Sequence, residues 1–276
     1  MNFEKKIWNN GGKILGKVIS VANQKGGVGK TTTSVTLSAM LAKKGKRVLL
    51  IDADPQGNAS SGLGVEKNYE LSVYDVLTSD VSIKEVVKKT NYKNLMVCPS
   101  NINLAGAEVE LVSMMSREHR LREKLEEIKK DFNYIIIDCP PSLGLITLNA
   151  FTASDSILVP IQCEYYALEG LGQLVNTINL VKKHLNKDLT IEGALLTMYD
   201  ARTKLSNQVV NEVKKFFNDK VYQTVIPRNI RLSEAPSYGV PITEYDARSK
   251  GAKAYEKFVK EFMKINEQKK VAAKNR

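Results

Sequence analysis

The run Val18-Ile19-Ser20-Val21-Ala22-Asn23-Gln24-Lys25-Gly26-Gly27-Val28-Gly29-Lys30-Thr31-Thr32 decides how this chain is read. A strand-like stretch leads into a glycine-rich turn, and the turn into a helix-like segment. Glycines let the backbone wrap closely, so that successive N–H groups point at phosphate oxygens. The helix from Thr31 adds its positive N-terminal end. Lys30 is placed to reach the outer phosphates of a nucleotide, and the Thr31 hydroxyl to ligate Mg2+. One residue departs from the strict pattern G-x-x-x-x-G-K-[ST]: Gln24 stands where glycine is required. Lys25 is a second lysine, five residues before Lys30. Holding phosphate within one subunit needs no cation there, so Lys25 points to charge neutralisation from elsewhere, such as a partner subunit.

Outward from this loop, short apolar runs alternate with longer amphipathic stretches. Strands are expected at 18–22, 48–52, 95–98, 134–138, 157–160, 191–197 and 221–226. Runs such as Val48-Leu49-Leu50-Ile51 and Ile135-Ile136-Ile137 suit strands buried on both faces. Helices are expected at 31–43, 116–130, 143–152, 167–185, 206–217 and 251–267. Alternation of this kind predicts an α/β fold with a mostly parallel sheet and helices on both sides. Two strands end in aspartates: Asp52 and Asp54 after the second, Asp138 after the fourth. Ligands of open parallel sheets sit outside the carboxyl ends of the strands, so these acids converge on the phosphate loop. Asp138 takes the place of an acid that holds a Mg2+-bound water.

The chain has 276 residues and a net charge of +11. That length suits one large domain, and the basic balance favours a polyanion partner, nucleic acid or an anionic membrane surface. No apolar run is long enough to span a bilayer, and the N-terminus lacks a secretory signal. Three cysteines without CxxC spacing, Cys98, Cys139 and Cys163, fit a reducing cytoplasm and argue against a disulfide scaffold or zinc site.

The chain resembles the ParA/Soj-type partitioning ATPases, in the deviant-Walker-A group that also holds MinD. The resemblance is carried by Lys25 to Thr32, Asp52-Ala53-Asp54-Pro55-Gln56-Gly57-Asn58, Asp138-Cys139-Pro140-Pro141-Ser142, the stretch from Gln162 to Gly170, and Val225-Ile226-Pro227-Arg228-Asn229. It covers about residues 16 to 262 and is strongest toward the chromosomal Soj branch.

The resemblance implies a P-loop NTPase-like fold with a twisted sheet of about seven to eight strands. It implies ATP and Mg2+ as cofactors, ATP hydrolysis, and a homodimer in the ATP state. Lys25, Gly26, Gly27, Val28, Gly29, Lys30, Thr31 and Thr32 would hold the phosphates. Lys25 would cross to the partner's nucleotide, and Lys30 and Asp138 would serve catalysis. Asp54 would position or activate the attacking water. Thr31 would ligate the metal directly, Asp52 and Asp138 through water. Pro227, Arg228 and Asn229 would pack the adenine. Arg202 and Arg231, with Lys250 in addition, would bind double-stranded DNA non-specifically. A ParB-like protein would stimulate hydrolysis, and this branch can act on a replication initiator. The protein is expected to be cytoplasmic and nucleoid-associated, without stable membrane anchoring.

Residues 16–265 are expected to form the ATPase domain, 266–276 a basic tail, and 1–15 an extension that is peripheral, disordered or an artefact of start-site assignment, with Leu15 as a misread TTG codon. The rival readings are a MinD-like membrane switch using the stripe from Tyr255 to Ile265, a nitrogenase-iron-protein-like electron donor, and a non-enzymatic DNA scaffold.

Overall fold

The computed structural model describes residues 16–66, 69–164 and 170–274. The expected extension 1–15 lies outside them, as do residues 165–169 within the stretch from Gln162 to Gly170. Seven strands form one sheet in the order β3-β4-β2-β5-β1-β6-β7. They are β1 (Lys17–Val21), β2 (Val48–Asp52), β3 (Lys88–Lys89), β4 (Leu95–Cys98), β5 (Tyr134–Asp138), β6 (Ser156–Gln162) and β7 (Thr190–Thr197). Every pairing is parallel except β3 with β4. The strands bury both faces. Ile135 and Ile137 face one core and Tyr134 and Ile136 the other, as the two-residue period of a strand requires.

The helices are α1 (Lys30–Lys43), α2 (Asn58–Ser61), α3 (Val73–Thr78), α4 (Ile83–Val86), α5 (Leu104–Glu110), α6 (Arg120–Glu126), α7 (Leu145–Ala153), α8 (Leu171–His184), α9 (Lys204–Phe217), α10 (Ile230–Glu234), α11 (Ile242–Tyr245) and α12 (Lys250–Lys274). Helices α1 and α12 cover one face of the sheet. Helices α3 and α5 to α9 cover the other.

Three expectations need correction. Residues 221–226 run beside β7, where Tyr222 and Ile226 donate to the Ala194 and Leu196 carbonyls, but they form no continuous strand, the bridges being Val221 to Ala194 and, just beyond, Pro227 to Tyr199. The reason lies 38 residues away. The Glu261 carboxylate on α12 accepts the N–H groups of Gln223 and Thr224, at 2.7 and 3.0 Å, so they are lost to the ladder. The expected helix 116–130 shrinks to α6 with a 3-10 turn at Lys129–Asp131. Ser116 has φ of 52°, and Asn149 of α7 fixes the entry by donating to the Arg117 carbonyl and accepting from the Leu121 N–H. Finally, the boundary expected at 266 falls inside α12. Asn266 is buried and donates to Glu192 Oε1 at 2.8 Å, while Lys17 donates to both Glu192 and Asn266.

Helix α12 is therefore integral to the domain. Phe258 is fully buried and meets Tyr222 edge to face at 4.8 Å. Phe258→Ala is expected to lower the unfolding free energy by about 3–5 kcal/mol, measured by urea titration. A loss below about 1 kcal/mol, the size of an ordinary surface change, would show that α12 packs independently.

Candidate functional site

The glycine-rich turn follows β1 and is held from the adjacent strand β6 and from β7 beyond it. Asn23 donates to the Pro160 carbonyl of β6 at 2.7 Å and accepts the Lys25 N–H at 3.1 Å. Thr197, ending β7, donates to the Val28 carbonyl at 2.8 Å. Gly27 and Gly29 have φ of 72° and 90°, a region that residues with a Cβ adopt at a cost. Gly29 then caps α1. The Lys30 ammonium is mostly buried and donates to the Lys25 carbonyl at 3.1 Å, closing the loop on itself. Burial lowers its pKa, opposed by the nearby charge of Asp138. The Lys25 side chain is half-buried, and its ammonium makes no hydrogen bond or ion pair among the described residues.

Asp138 ends β5, fully buried, beside the start of α1. It accepts from Thr31 Oγ1 and Ser34 Oγ, each at 2.8 Å. Burial raises its pKa to about 7, and the neighbouring Asp52 adds to the rise. Asp52 is its register partner on β2. Burial raises Asp52 to about 6, moderated by two bonds from Ser60. Those bonds, from Ser60 N and Oγ at 2.7 Å each, give Asp52 a structural role, since they fold the 53–60 segment back onto the strand end. Asp54 sits half-buried on that segment, and its carboxylate accepts the Gln56 N–H at 2.9 Å.

Two carboxylates and an ammonium are thus gathered where water is scarce. Buried charges of this kind favour a bound counter-ion. Among the described residues no group of three or more His, Cys, Asp or Glu side chains could hold a metal by itself. A cation here would draw further ligands from Thr31, from water and from phosphate, a set that suits Mg2+.

A cavity of about 360 Å³ opens beside the loop. It runs from Gly29 and Thr32, past Thr197 and Tyr255, to Pro227, Arg228 and Asn229. The Asn229 Oδ1 is a buried acceptor without a hydrogen-bond partner, on the wall of this cavity. Gly29 and Thr32, two of the residues expected at the phosphates, thus share one space with the three expected at the base. Arg228 spans its rim to Glu164 at 2.5 Å.

The arginines expected at DNA are exposed, but both are paired. Arg202 donates from Nε and Nη2 to the two oxygens of Asp200, at 2.9 and 2.7 Å. This fork drives Asp200 down to about 2, so it is ionised at any physiological pH. Arg231 pairs with Glu234 at 2.9 Å and lies 3.7 Å from Asp246. Each of the two arginines is therefore matched by a carboxylate in the free subunit. Lys250 is exposed at the start of α12 and makes no ion pair among the described residues.

Sequence reasoning overlooked Ser34, Asn23, Thr197 and Ser60. Ser34 was within reach, because Thr31 and Ser34 are three apart on one helix face. The other three depend on which strands adjoin and carried no local signal.

Residues 16–191 match the family described as AAA domain. The chain is 64% identical over 248 residues to the sporulation initiation inhibitor protein Soj of Bacillus subtilis (strain 168), covering 90% of this chain and 98% of that one. It is 52% identical over 255 residues to the chromosome partitioning protein ParA of Myxococcus xanthus (strain DK1622), covering 92% and 90%. The crystal structure of cobyrinic acid a,c-diamide synthase from Mycobacterium smegmatis with bound ADP and magnesium matches with a TM-score of 0.79 at 41% identity, over 89% of this chain and 93% of that chain.

Proposed function

This chain belongs to the Soj/ParA family of chromosome-partitioning ATPases, and from that premise we propose that it works as an ATP-dependent dimer switch on DNA. The observation that carries the reading is the convergence of Thr31 and Ser34 on Asp138, beside a loop in which Lys30 is held on the Lys25 carbonyl and the Lys25 ammonium has no hydrogen bond or ion pair among the described residues.

Bound ATP and Mg2+ supply the cleavable anhydride and the metal charge. Lys30 and the N–H groups of Gly27 to Thr32 hold the phosphates. Thr31 ligates the metal, and Asp138 orders its water. Pro227, Arg228 and Asn229 receive the adenine, and the unpartnered Asn229 Oδ1 accepts its amino group. Lys25 reaches across to the nucleotide of a second copy, so that two triphosphates can meet without prohibitive repulsion. Asp54 orients the attacking water, and hydrolysis reopens the dimer. A ParB-like protein accelerates that step, and the same cycle can bear on replication initiation.

DNA enters through Arg202, Arg231 and Lys250. Phosphate takes the same bidentate fork that Asp200 now holds. Exposed pairs are weak and screened by salt, so exchange is feasible. A single subunit whose arginines are each held by a carboxylate binds poorly, whereas two aligned rims gain from avidity. This favours a nucleoid-associated protein whose DNA affinity follows its nucleotide state.

Affinity for random-sequence duplex is therefore expected to be about a hundredfold higher with ATP than with ADP or no nucleotide, an avidity gain at the low end of the usual range. Equal affinities in all three states, measured by fluorescence anisotropy, would contradict the switch.

The MinD-like alternative is weaker. Tyr255, Phe258, Val259 and Phe262 are buried against the sheet, so the apolar face of α12 is not free to meet lipid. No helix among the described residues is long and apolar enough to cross a membrane.

A further inference from the structure

The arginines of the rim are matched by carboxylates, whereas a cluster of unmatched lysines sits at the opposite end of the sheet. The connections that precede β4, β2 and β5 lie at the amino ends of three strands that are immediate neighbours. Lys43, Lys44, Lys46 and Arg47 precede β2, Lys89 and Lys93 flank the turn before β4, and Lys130 precedes β5. Lys43, Lys44, Lys89, Lys93 and Lys130 are exposed and Lys46 is half-exposed. None of these six lysines lies within ion-pair distance of a carboxylate among the described residues. The arginines at the nucleotide end differ, since each holds a carboxylate of its own. The acids that line the cavities at this end are Asp131, Glu244 and Glu256, fewer than the lysines, and Glu256 is already held by Lys260.

The surface is concave as well as basic. A cavity of about 460 Å³ is bordered by Arg47, Lys89 and Lys93, with Asn91 and Asn94 as neutral donors and Phe132 in its floor. Adjacent strands are about 4.8 Å apart, so the three connections spread their cations over roughly 10 Å. Duplex DNA carries a charge for every ~1.7 Å of its axis, so a patch of this width meets several phosphates at once.

We propose that the amino-terminal end of the sheet is a second binding surface for the phosphate backbone of duplex DNA, separate from the arginine rim and independent of the base cavity. It reads no sequence, because lysines on short turns contact phosphate as point charges. In a dimer closed through the nucleotide faces, the two basic ends point away from each other, so one dimer can touch two DNA segments. The proposal goes beyond the ATP switch and does not require it.

The test is the salt dependence of duplex binding by the full chain carrying Lys44→Ala, Lys46→Ala and Lys93→Ala, in whichever nucleotide state the parent binds DNA. Each phosphate contact contributes about 0.9 to the slope of log K against log salt. The triple variant is expected to show a slope shallower by about 3, with ATP hydrolysis and nucleotide affinity unchanged. Arg202→Ala should weaken binding separately, and the two effects should add. An unchanged slope in the triple variant would overturn the proposal. Displacement of the duplex by equimolar sodium tripolyphosphate would also overturn it, since that would mark a pocket for a small anion. Should DNA binding prove indifferent to nucleotide while the slope still falls, the switch fails and the basic end stands. Should binding depend on ATP while the slope holds, the reverse is true.

Discussion

Lys25→Ala is expected to bind ATP about as well as the parent and to lose the ATP-dependent dimer. The expectation rests on what Lys25 does and does not hold. Its main chain matters to the loop: the N–H binds Asn23 and the carbonyl receives Lys30. Alanine keeps both groups. The loop is further pinned from β6 and β7 through Asn23 and Thr197, neither of which involves the Lys25 side chain. The ammonium is therefore dispensable for one subunit's fold and for its own nucleotide. Across a closed dimer it would be one half of a buried charge pair. Removing one partner of such a pair costs about 3–5 kcal/mol, or roughly 10²–10⁴-fold in dimer affinity. Each dimer has two such sites. Nucleotide titration and sedimentation velocity on the same sample separate the two effects. Joint loss of ATP binding and dimer would make Lys25 an ordinary loop residue.

Asp54→Ala is expected to slow ATP hydrolysis by about 10²–10⁴-fold, the range for a residue that positions or deprotonates a nucleophile. The segment bearing Asp54 is folded back by Asp52 and Ser60, and its turn closes through the Gly57 N–H to the Asp54 carbonyl. The substitution therefore deletes the carboxylate and one bond to the Gln56 N–H while the anchors stay. ATP binding and dimerisation should survive, and the dimer should persist on DNA. Single-turnover phosphate release is the measurement. A rate within a few-fold of the parent would remove Asp54 from the chemistry.

Much of this arrangement was written locally. β2, β4 and β5 end where their apolar runs end, because strands buried on both faces admit no polar interruption. The phosphate loop was legible for a similar reason, since its glycines, lysine and threonine must fall at fixed offsets. The short helices α3 and α4 went unread although Ser72 with Asp75, and Ser82 with Glu85, form capping boxes visible in the sequence. The misreading at 221–226 is of another kind. Its composition is strand-like, and only the distant Glu261 removes it from the ladder.

The arginines show how a residue can be placed well and its state missed. Arg202 and Arg231 are exposed, as expected of DNA contacts. Their carboxylate partners stand two residues before the one, at Asp200, and three residues after the other, at Glu234. Charge counted over the whole chain hid this. The net +11 favoured a polyanion partner without placing it, and the resemblance put DNA at the arginines; each of these holds a carboxylate, whereas the six lysines outside ion-pair distance gather at the other end of the sheet.

The central claim is that the ATP-bound unit is a pair of chains joined through Lys25. The most direct measurement is the sedimentation mass of Asp54→Ala in ATP, with and without the added Lys25→Ala change. Twice the mass of one chain is expected for the single variant and one chain's mass for the double variant, with ATP bound in both. A double variant that still sediments as a dimer would contradict it.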